Sequence, residues 1–176
     1  MYREKFLSTL QQKTAYEAIT PSLLGFQYEI TEMHDLWNFA VNLDLTRFST
    51  KAGEEFHRTL NETTDALTNT LSAENRTWGT ARTALNLFLK EAHYNRYLSE
   101  VYHLYLSEHF FETPVNDTAA AALRSQKSGP TLPEWTGLHM FDKDKSDAYQ
   151  AFATDLAEEM RVSRVHLGLF LWPGWK

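Results

Sequence analysis

Apolar residues recur every three or four positions along most of this chain, whereas the strict alternation typical of β-strands is scarce. The longest such segment predicts one helix from about Thr77 through Tyr102. Its apolar face is broad, as expected for a helix in the middle of a bundle. The positions on that face are Trp78, Ala81, Leu85, Phe88, Leu89, Ala92, Leu98 and Val101. The periodicity therefore predicts an all-α fold, a bundle of about six to eight helices.

The other predicted helices are bounded by capping residues and by breaks that contain proline or glycine. The first two cover about 3–12 and 27–43, and a third starts at 49–50 and carries an apolar stripe to 71. The remaining three are a short helix after Pro114 that ends at about 126, a helix from about 144 to 160, and a last segment over 165–172. The breaks lie at 20–22 and 127–133, and Trp135 and Leu138 are expected to pack back onto the core from a short turn. No composition change marks a second domain, so residues 1–176 are predicted to form a single helical domain.

Composition limits the chemistry that this chain can perform. The absence of cysteine excludes disulfides, thiolate zinc sites, iron–sulfur clusters and thiol nucleophiles. No stretch approaches the roughly 20 apolar residues that a membrane span needs, so we expect a soluble, cytoplasmic monomer that does not enter membranes. The net charge of −6 argues against an extensive nucleic-acid surface. The basic candidates for local phosphate contacts are Arg76, Arg82, Arg96 and Lys127.

The segment Pro114-Val115-Asn116-Asp117 precedes a run of small residues that predicts a helix start. Asx side chains at such a position accept hydrogen bonds from unpaired N–H groups, and the helix dipole favours a negative charge there. Asn116 and Asp117 are therefore either a helix cap or part of a catalytic site.

Two segments, Trp78–Leu85 with Lys90 beyond it and Pro114–Asp117, resemble the active-site region of the helix-hairpin-helix (HhH-GPD) DNA glycosylases. The archaeal 8-oxoguanine type is the most similar, and the resemblance covers about 77–123. In that family an Asp after Pro-Val or Pro-Leu stabilises the positive charge that grows on the sugar, and a lysine of an earlier helix attacks the sugar in bifunctional members. The resemblance implies a glycosylase-like fold and excision of a damaged or modified base flipped out of double-stranded DNA, without a cofactor. Both DNA repair and defence against DNA with modified bases fit this activity.

The chain departs from the family at both catalytic positions. Asn116 stands where the family has Asp, and Arg82 or Thr83 stands where it has the lysine. Asp117 is then the candidate carboxylate, with Asn116 to orient a water molecule or cap the helix. Lys90, two turns beyond Thr83 on the same face, is the candidate ammonium group. These departures favour monofunctional hydrolysis over a lyase reaction.

Two other interpretations remain open. Two Glu-x-x-His pairs, Glu54 with His57 and Glu100 with His103, have the spacing that ferritin-like bundles use to bind two metal ions. Alternatively, the domain has lost catalysis and binds DNA or a protein partner.

Overall fold

The computed structural model of this chain describes residues 2–25, 30–72, 77–126 and 131–171. These residues form nine α-helices and contain no β-strand, which confirms the all-α prediction for this part of the chain. The helices are α1 (Tyr2–Ala18), α2 (Pro21–Leu24), α3 (Ile30–Val41), α4 (Gly53–Thr70), α5 (Trp78–Tyr94), α6 (Arg96–Val101), α7 (Asp117–Arg124), α8 (Lys143–Met160) and α9 (Leu167–Phe170). Short 3₁₀ segments lie at Leu45–Phe48, Leu104–Phe110, Leu138–Met140 and Arg164–His166. None of the helices in the described ranges is both long and apolar enough to cross a membrane.

Helix α5 forms the centre of the structure, as its broad apolar face predicts. Every residue from Gly79 to Leu89 is buried, and the helix contacts α1, α3, α4 and α8. Thr77 caps its start, because the Thr77 hydroxyl accepts a hydrogen bond from the Thr80 N–H group at 3.2 Å. Polar residues of α5 therefore lie inside the protein and need internal partners.

The prediction of one helix from Thr77 through Tyr102 is wrong at its C-terminal end. The chain turns at Asn95, whose N–H group donates to the Glu91 carbonyl at 2.9 Å and closes α5. The Asn95 side chain then accepts hydrogen bonds from the N–H groups of Tyr97 and Leu98 and starts α6. A single Asx residue thus offers the backbone an alternative to continuous helix, which apolar periodicity does not reveal.

The two ends of the described chain also differ from the predicted bounds. Helix α1 extends beyond the predicted 3–12 segment to Ala18, and the residues buried beyond position 12 are Thr14, Ala15 and Ala18, which are too small or too polar to show as an apolar stripe. Within the predicted segment, the amide of buried Gln11 donates to the carbonyls of Ala40 and Leu43 at 3.0 and 2.9 Å. The predicted helix over 165–172 is divided into the 3₁₀ segment Arg164–His166 and α9. Both segments are short, and α9 ends at Phe170.

A buried extended segment, Phe111–Val115, leads directly into α7 and fixes where that helix begins. The side-chain amide of Gln150, on α8, binds this segment through both its oxygen and its nitrogen. The Thr113 N–H group donates to Gln150 Oε1 at 3.1 Å, and Gln150 Nε2 donates to the Thr113 carbonyl at 2.7 Å. The start of α7 is therefore anchored to the core rather than carried on a free loop.

Candidate functional site

The two segments that carry the glycosylase resemblance are in contact. The Thr83 hydroxyl, on α5, donates a hydrogen bond to the Val115 carbonyl at 2.9 Å, and both residues are buried. Thr83 is one of the residues on which the resemblance depends, and Val115 directly precedes Asn116. The hydrogen bond places Thr83 beside the residue before Asn116, at one junction between α5 and the start of α7.

Asn116 caps helix α7. This is one of the two roles that the sequence predicts for it, the other being to orient a water molecule. Its Oδ1 atom accepts a hydrogen bond from the Ala119 N–H group at 3.0 Å, and its Nδ2 atom donates to the Leu23 carbonyl at 3.2 Å. Both ends of the carboxamide are therefore engaged by the protein. Asn116 stabilises the start of α7 and ties it to α2.

Asp117 is the first residue of α7, and its side chain is exposed. The indole N–H group of Trp135 donates to Asp117 Oδ1 at 2.6 Å. The Trp135 ring is itself held against Phe141 and Tyr149, with centroid distances of 5.1 and 6.0 Å. The expectation that Trp135 packs back onto the core is confirmed, and the indole orients a carboxylate that still faces solvent.

Lys90 lies at the same junction, in the wall of a small pocket of about 110 Å³. Pro114 and Asn116 line this pocket as well, together with Leu23, Leu87, Thr118, Ala119, Gly168 and Leu171. A neighbouring pocket of about 290 Å³ shares Lys90 and is lined by Glu17, Glu91, Tyr94 and other residues of α1 and α5. The ammonium group lies 3.3 Å from a Glu91 oxygen and 5.6 Å from the centroid of the Tyr94 ring.

The expectation that Arg82 contacts DNA does not fit its position. The Arg82 side chain is 3% exposed, and two of its guanidinium nitrogens donate to the two Glu112 oxygens at 2.9 Å each. Its third nitrogen donates to Asn61 and Thr64. Burial alone would raise the pKa of Glu112, but the charge and hydrogen bonds of Arg82 outweigh it and lower that pKa. Arg82 is an internal ion-pair partner because α5 has no exposed face here.

Three other basic residues are predicted to contact DNA, and the structure describes one of them. Arg96 is exposed on α6, where its Nε atom donates to Glu100 at 3.0 Å. Arg76 and Lys127 lie outside the described residues.

The four residues of the alternative metal set do not gather into a group of three or more ligand atoms in the described part of the chain. Glu100 pairs with Arg96, and His103 Nδ1 lies 3.3 Å from the Tyr105 hydroxyl. Glu54 is exposed on α4, and burial lowers the pKa of its neighbour His57. The turn at Asn95 separates the predicted Glu100–His103 pair from the helix on which the sequence places it.

A different cluster, His93 with Glu108 and His166, stands out at the C-terminal end of α5. One nitrogen or oxygen from each of the three residues lies within 4.8 Å of the others. His93 Nε2 is 3.5 Å from Glu108 Oε2, and His166 Nε2 is 3.2 Å from Glu108 Oε1. Sequence reasoning missed this cluster because its members come from one helix and two 3₁₀ segments and share no local spacing.

Taken together, the fold and these sites define an all-α domain with a polar junction at the start of α7 and a two-histidine, one-carboxylate cluster on the same central helix. Comparison with models of known protein families, with curated proteins and with solved structures found no match.

Proposed function

We propose that this chain is a DNA glycosylase-like domain that removes a damaged or modified base by hydrolysis of the N-glycosidic bond. The observation that carries the proposal is the exposed Asp117 carboxylate, oriented by Trp135 at the start of a helix. Its chain neighbours Asn116 and Thr118 both line the pocket that contains Lys90. A carboxylate at this position can stabilise positive charge that develops on a flipped-out sugar.

In the proposed reaction, the bond between C1′ of the deoxyribose and the base nitrogen breaks, and its electron pair leaves with the base. The oxygen of a water molecule bonds to C1′, and Asp117 takes the proton that the water loses. The products are an abasic site and the free base, whose departing nitrogen takes a proton from solvent while Asp117 returns its proton to solvent. No lyase step is proposed, since Thr83 has no amine with which to form a Schiff base, and Lys90, whose ammonium group is paired with Glu91, is assigned to a phosphate contact.

Lys90 supplies positive charge beside this pocket in an otherwise acidic protein. Its ammonium group is positioned to contact a phosphate that flanks the flipped nucleotide, and exposed Arg96 adds a second basic group at the surface. The double-stranded substrate and the class of base follow from the resemblance, and either DNA repair or defence against DNA with modified bases would use this reaction.

The experiment incubates the protein with duplexes that carry individual damaged or modified bases, and with modified phage DNA, and then measures abasic sites. Asp117→Asn keeps the shape and the oxygen that accepts from Trp135 but removes the charge. Asp144→Asn is the matched control, because Asp144 is an exposed acid in the first turn of α8.

We expect abasic sites with at least one substrate, a loss of about 100-fold or more for Asp117→Asn, and wild-type activity for Asp144→Asn. If no substrate yields abasic sites, the proposal is wrong. If Asp117→Asn is as active as wild type, the assigned carboxylate is wrong.

A second candidate is a binding module of the same fold that has lost catalysis. It is favoured by the hydrogen bonds of Thr83 and Asn116, which give both residues at the family's catalytic positions a structural role. Such a module would bind fluorescent duplex DNA or a protein partner and release no base from any substrate. Titration of the same duplexes by fluorescence anisotropy measures this binding directly.

A further inference from the structure

Three separate segments meet at the cluster of His93, Glu108 and His166. His93 lies in the last turn of α5, Glu108 in the 3₁₀ segment Leu104–Phe110, and His166 at the end of the 3₁₀ segment Arg164–His166. The two nitrogen-to-oxygen distances, 3.5 and 3.2 Å, run to different oxygens of Glu108, and one ligand atom from each of the three residues lies within 4.8 Å of the others. Ligands of a tetrahedral ion with bonds of about 2.0–2.1 Å are about 3.3–3.4 Å apart, so side-chain shifts of about 1–1.5 Å would bring the three residues onto one ion.

The side chains around the cluster orient its members as the outer partners of a metal site do. The Nδ1 atom of His166 is hydrogen-bonded to the Tyr94 hydroxyl at 2.9 Å, which leaves its Nε2 atom directed at Glu108. The Ser163 hydroxyl donates to Glu108 Oε1 at 2.9 Å. Hydrogen bonds of this kind fix the ring orientation of a ligating histidine and the position of a ligating carboxylate.

The buried imidazole of His93 adds to this geometry. Its side chain is 7% exposed, and its Nδ1 atom has no hydrogen-bond partner among the described residues, whichever ring nitrogen carries the hydrogen. Its Nε2 atom and that of His166 both face the oxygens of one carboxylate. The convergence of two imidazole nitrogens on one carboxylate is therefore the observation that supports a cation.

We propose that His93, Glu108 and His166 bind one divalent transition-metal ion. Zinc and iron(II) both bind two imidazoles and one carboxylate, and zinc is the ion used for the test. Three protein ligands leave a fourth position for water. Glu108 and His166 are 35% and 24% exposed, so this position faces solvent. The ion would also join the end of α5 to the C-terminal segment, and its binding would therefore stabilise the fold.

The test uses the full chain without an affinity tag, stripped of metal with a chelator. Zinc chloride is titrated by calorimetry, and the melting temperature is followed as free zinc increases. Cobalt(II) is the spectroscopic probe, because its visible absorption reports nitrogen and oxygen ligands and a low coordination number. We expect one zinc ion per chain and a melting temperature that rises with the logarithm of free zinc.

The variants Glu108→Gln and His166→Gln should weaken zinc binding by at least about 100-fold. Tyr94→Phe removes only the hydroxyl that orients His166 and should weaken binding by about tenfold. His139→Gln is the control, because His139 is exposed in another 3₁₀ segment and should bind zinc as wild type does.

Absence of saturable binding of one zinc per chain would overturn the proposal. So would equal zinc affinity in wild type, Glu108→Gln and His166→Gln. Circular dichroism of the metal-free variants shows whether each variant is folded. A variant that is folded and does not bind zinc supports the site directly. The metal site does not depend on the proposed glycosylase activity, and neither result decides the other.

Discussion

Replacing Arg82 with methionine should destabilise this protein strongly, because it removes the guanidinium group that is hydrogen-bonded to the buried Glu112 carboxylate. Arg164, the other cation that lowers the pKa of Glu112, donates its hydrogen bonds to other groups. Glu112 accepts two hydrogen bonds from Arg82 at 2.9 Å and one from Asn86 at 2.8 Å. Arg82→Met removes the first two, and hydrogen bonds to charged groups contribute about 1.5–3 kcal/mol each. The expected loss in free energy of unfolding is therefore about 3–5 kcal/mol, the range found when one partner of a buried pair is removed.

Urea unfolding followed by circular dichroism measures this loss, which corresponds to about 10 °C in melting temperature for a chain of this size. The double variant Arg82→Met with Glu112→Leu removes both charges and should recover at least half of the loss. Arg47→Met is the control, because Arg47 forms an exposed pair with Glu62 and should change stability by at most about 1 kcal/mol.

Two results would refute this reasoning. If Arg82→Met lowers stability no more than Arg47→Met does, the Arg82–Glu112 pair is not buried in solution. If the double variant is less stable than Arg82→Met alone, the uncompensated charge of Glu112 is not the cause of the loss.

Three further predictions concern the close approach at Gly79, the pKa of Glu112 and the cap formed by Asn116. Gly79→Ala should lower the free energy of unfolding by about 3 kcal/mol in urea melts, because the new Cβ atom meets the carbonyl of Leu138; an unchanged midpoint would contradict this close approach. Because folding lowers the pKa of Glu112 through Arg82, its contribution to stability is present above the ordinary glutamate pKa of about 4.3 and is lost as the pH falls through the lower folded-state pKa. Thermal melts of wild type and Glu112→Gln as a function of pH should show this loss in wild type alone. Asn116→Ala removes the cap of α7 and should cost about 1 kcal/mol in urea unfolding, and a loss below a few tenths would contradict the capping role.

The apolar periodicity of the sequence predicts helix α5 but not the residue at which it ends. An apolar face that wraps most of the helix is visible as periodicity, because each residue contributes to it independently. The end depends on one residue, Asn95, whose backbone N–H group closes α5 and whose side chain caps the start of α6. Periodicity does not register such competition, because apolar residues continue at Leu98 and Val101 on the same spacing.

The roles of Arg82 and Trp135 depend on contacts that no local pattern encodes. Arg82 meets Glu112 only because a buried extended segment passes beside α5, 30 residues further along the chain. Trp135 reaches Asp117 from a non-helical segment, so its indole group has no helical spacing to reveal it. The available signal is an arginine among the apolar positions of a helix predicted to be central, and this pattern is typical of a buried ion pair as well as of a phosphate contact.

The cluster of His93, Glu108 and His166 is the strongest case of tertiary assembly. His93 and His166 are 73 positions apart, and each lies in a segment whose neighbours give no metal-binding motif. Their rings come within 6.1 Å because Arg164, from the same 3₁₀ segment as His166, is anchored to the Phe110 and Phe111 carbonyls. The Glu-x-x-His pairs had the recognisable spacing, whereas the residues that actually gather do not.

Asn116→Asp separates the two candidate functions more sharply than any loss of a side chain. Asp is as good a cap as Asn, so α7 should keep its start, but a carboxylate cannot donate to the Leu23 carbonyl, so the free energy of unfolding should fall by about 1 kcal/mol. The new carboxylate would lie in the wall of the pocket that Lys90 also lines, at the position where the glycosylase family has its Asp. If Asp117 already supplies the charge, Asn116→Asp should leave the rate of abasic-site formation within a few-fold of wild type. A wild-type chain that forms no abasic sites, together with an Asn116→Asp variant that does, would show instead that this helix start has kept its geometry and lost its catalytic charge.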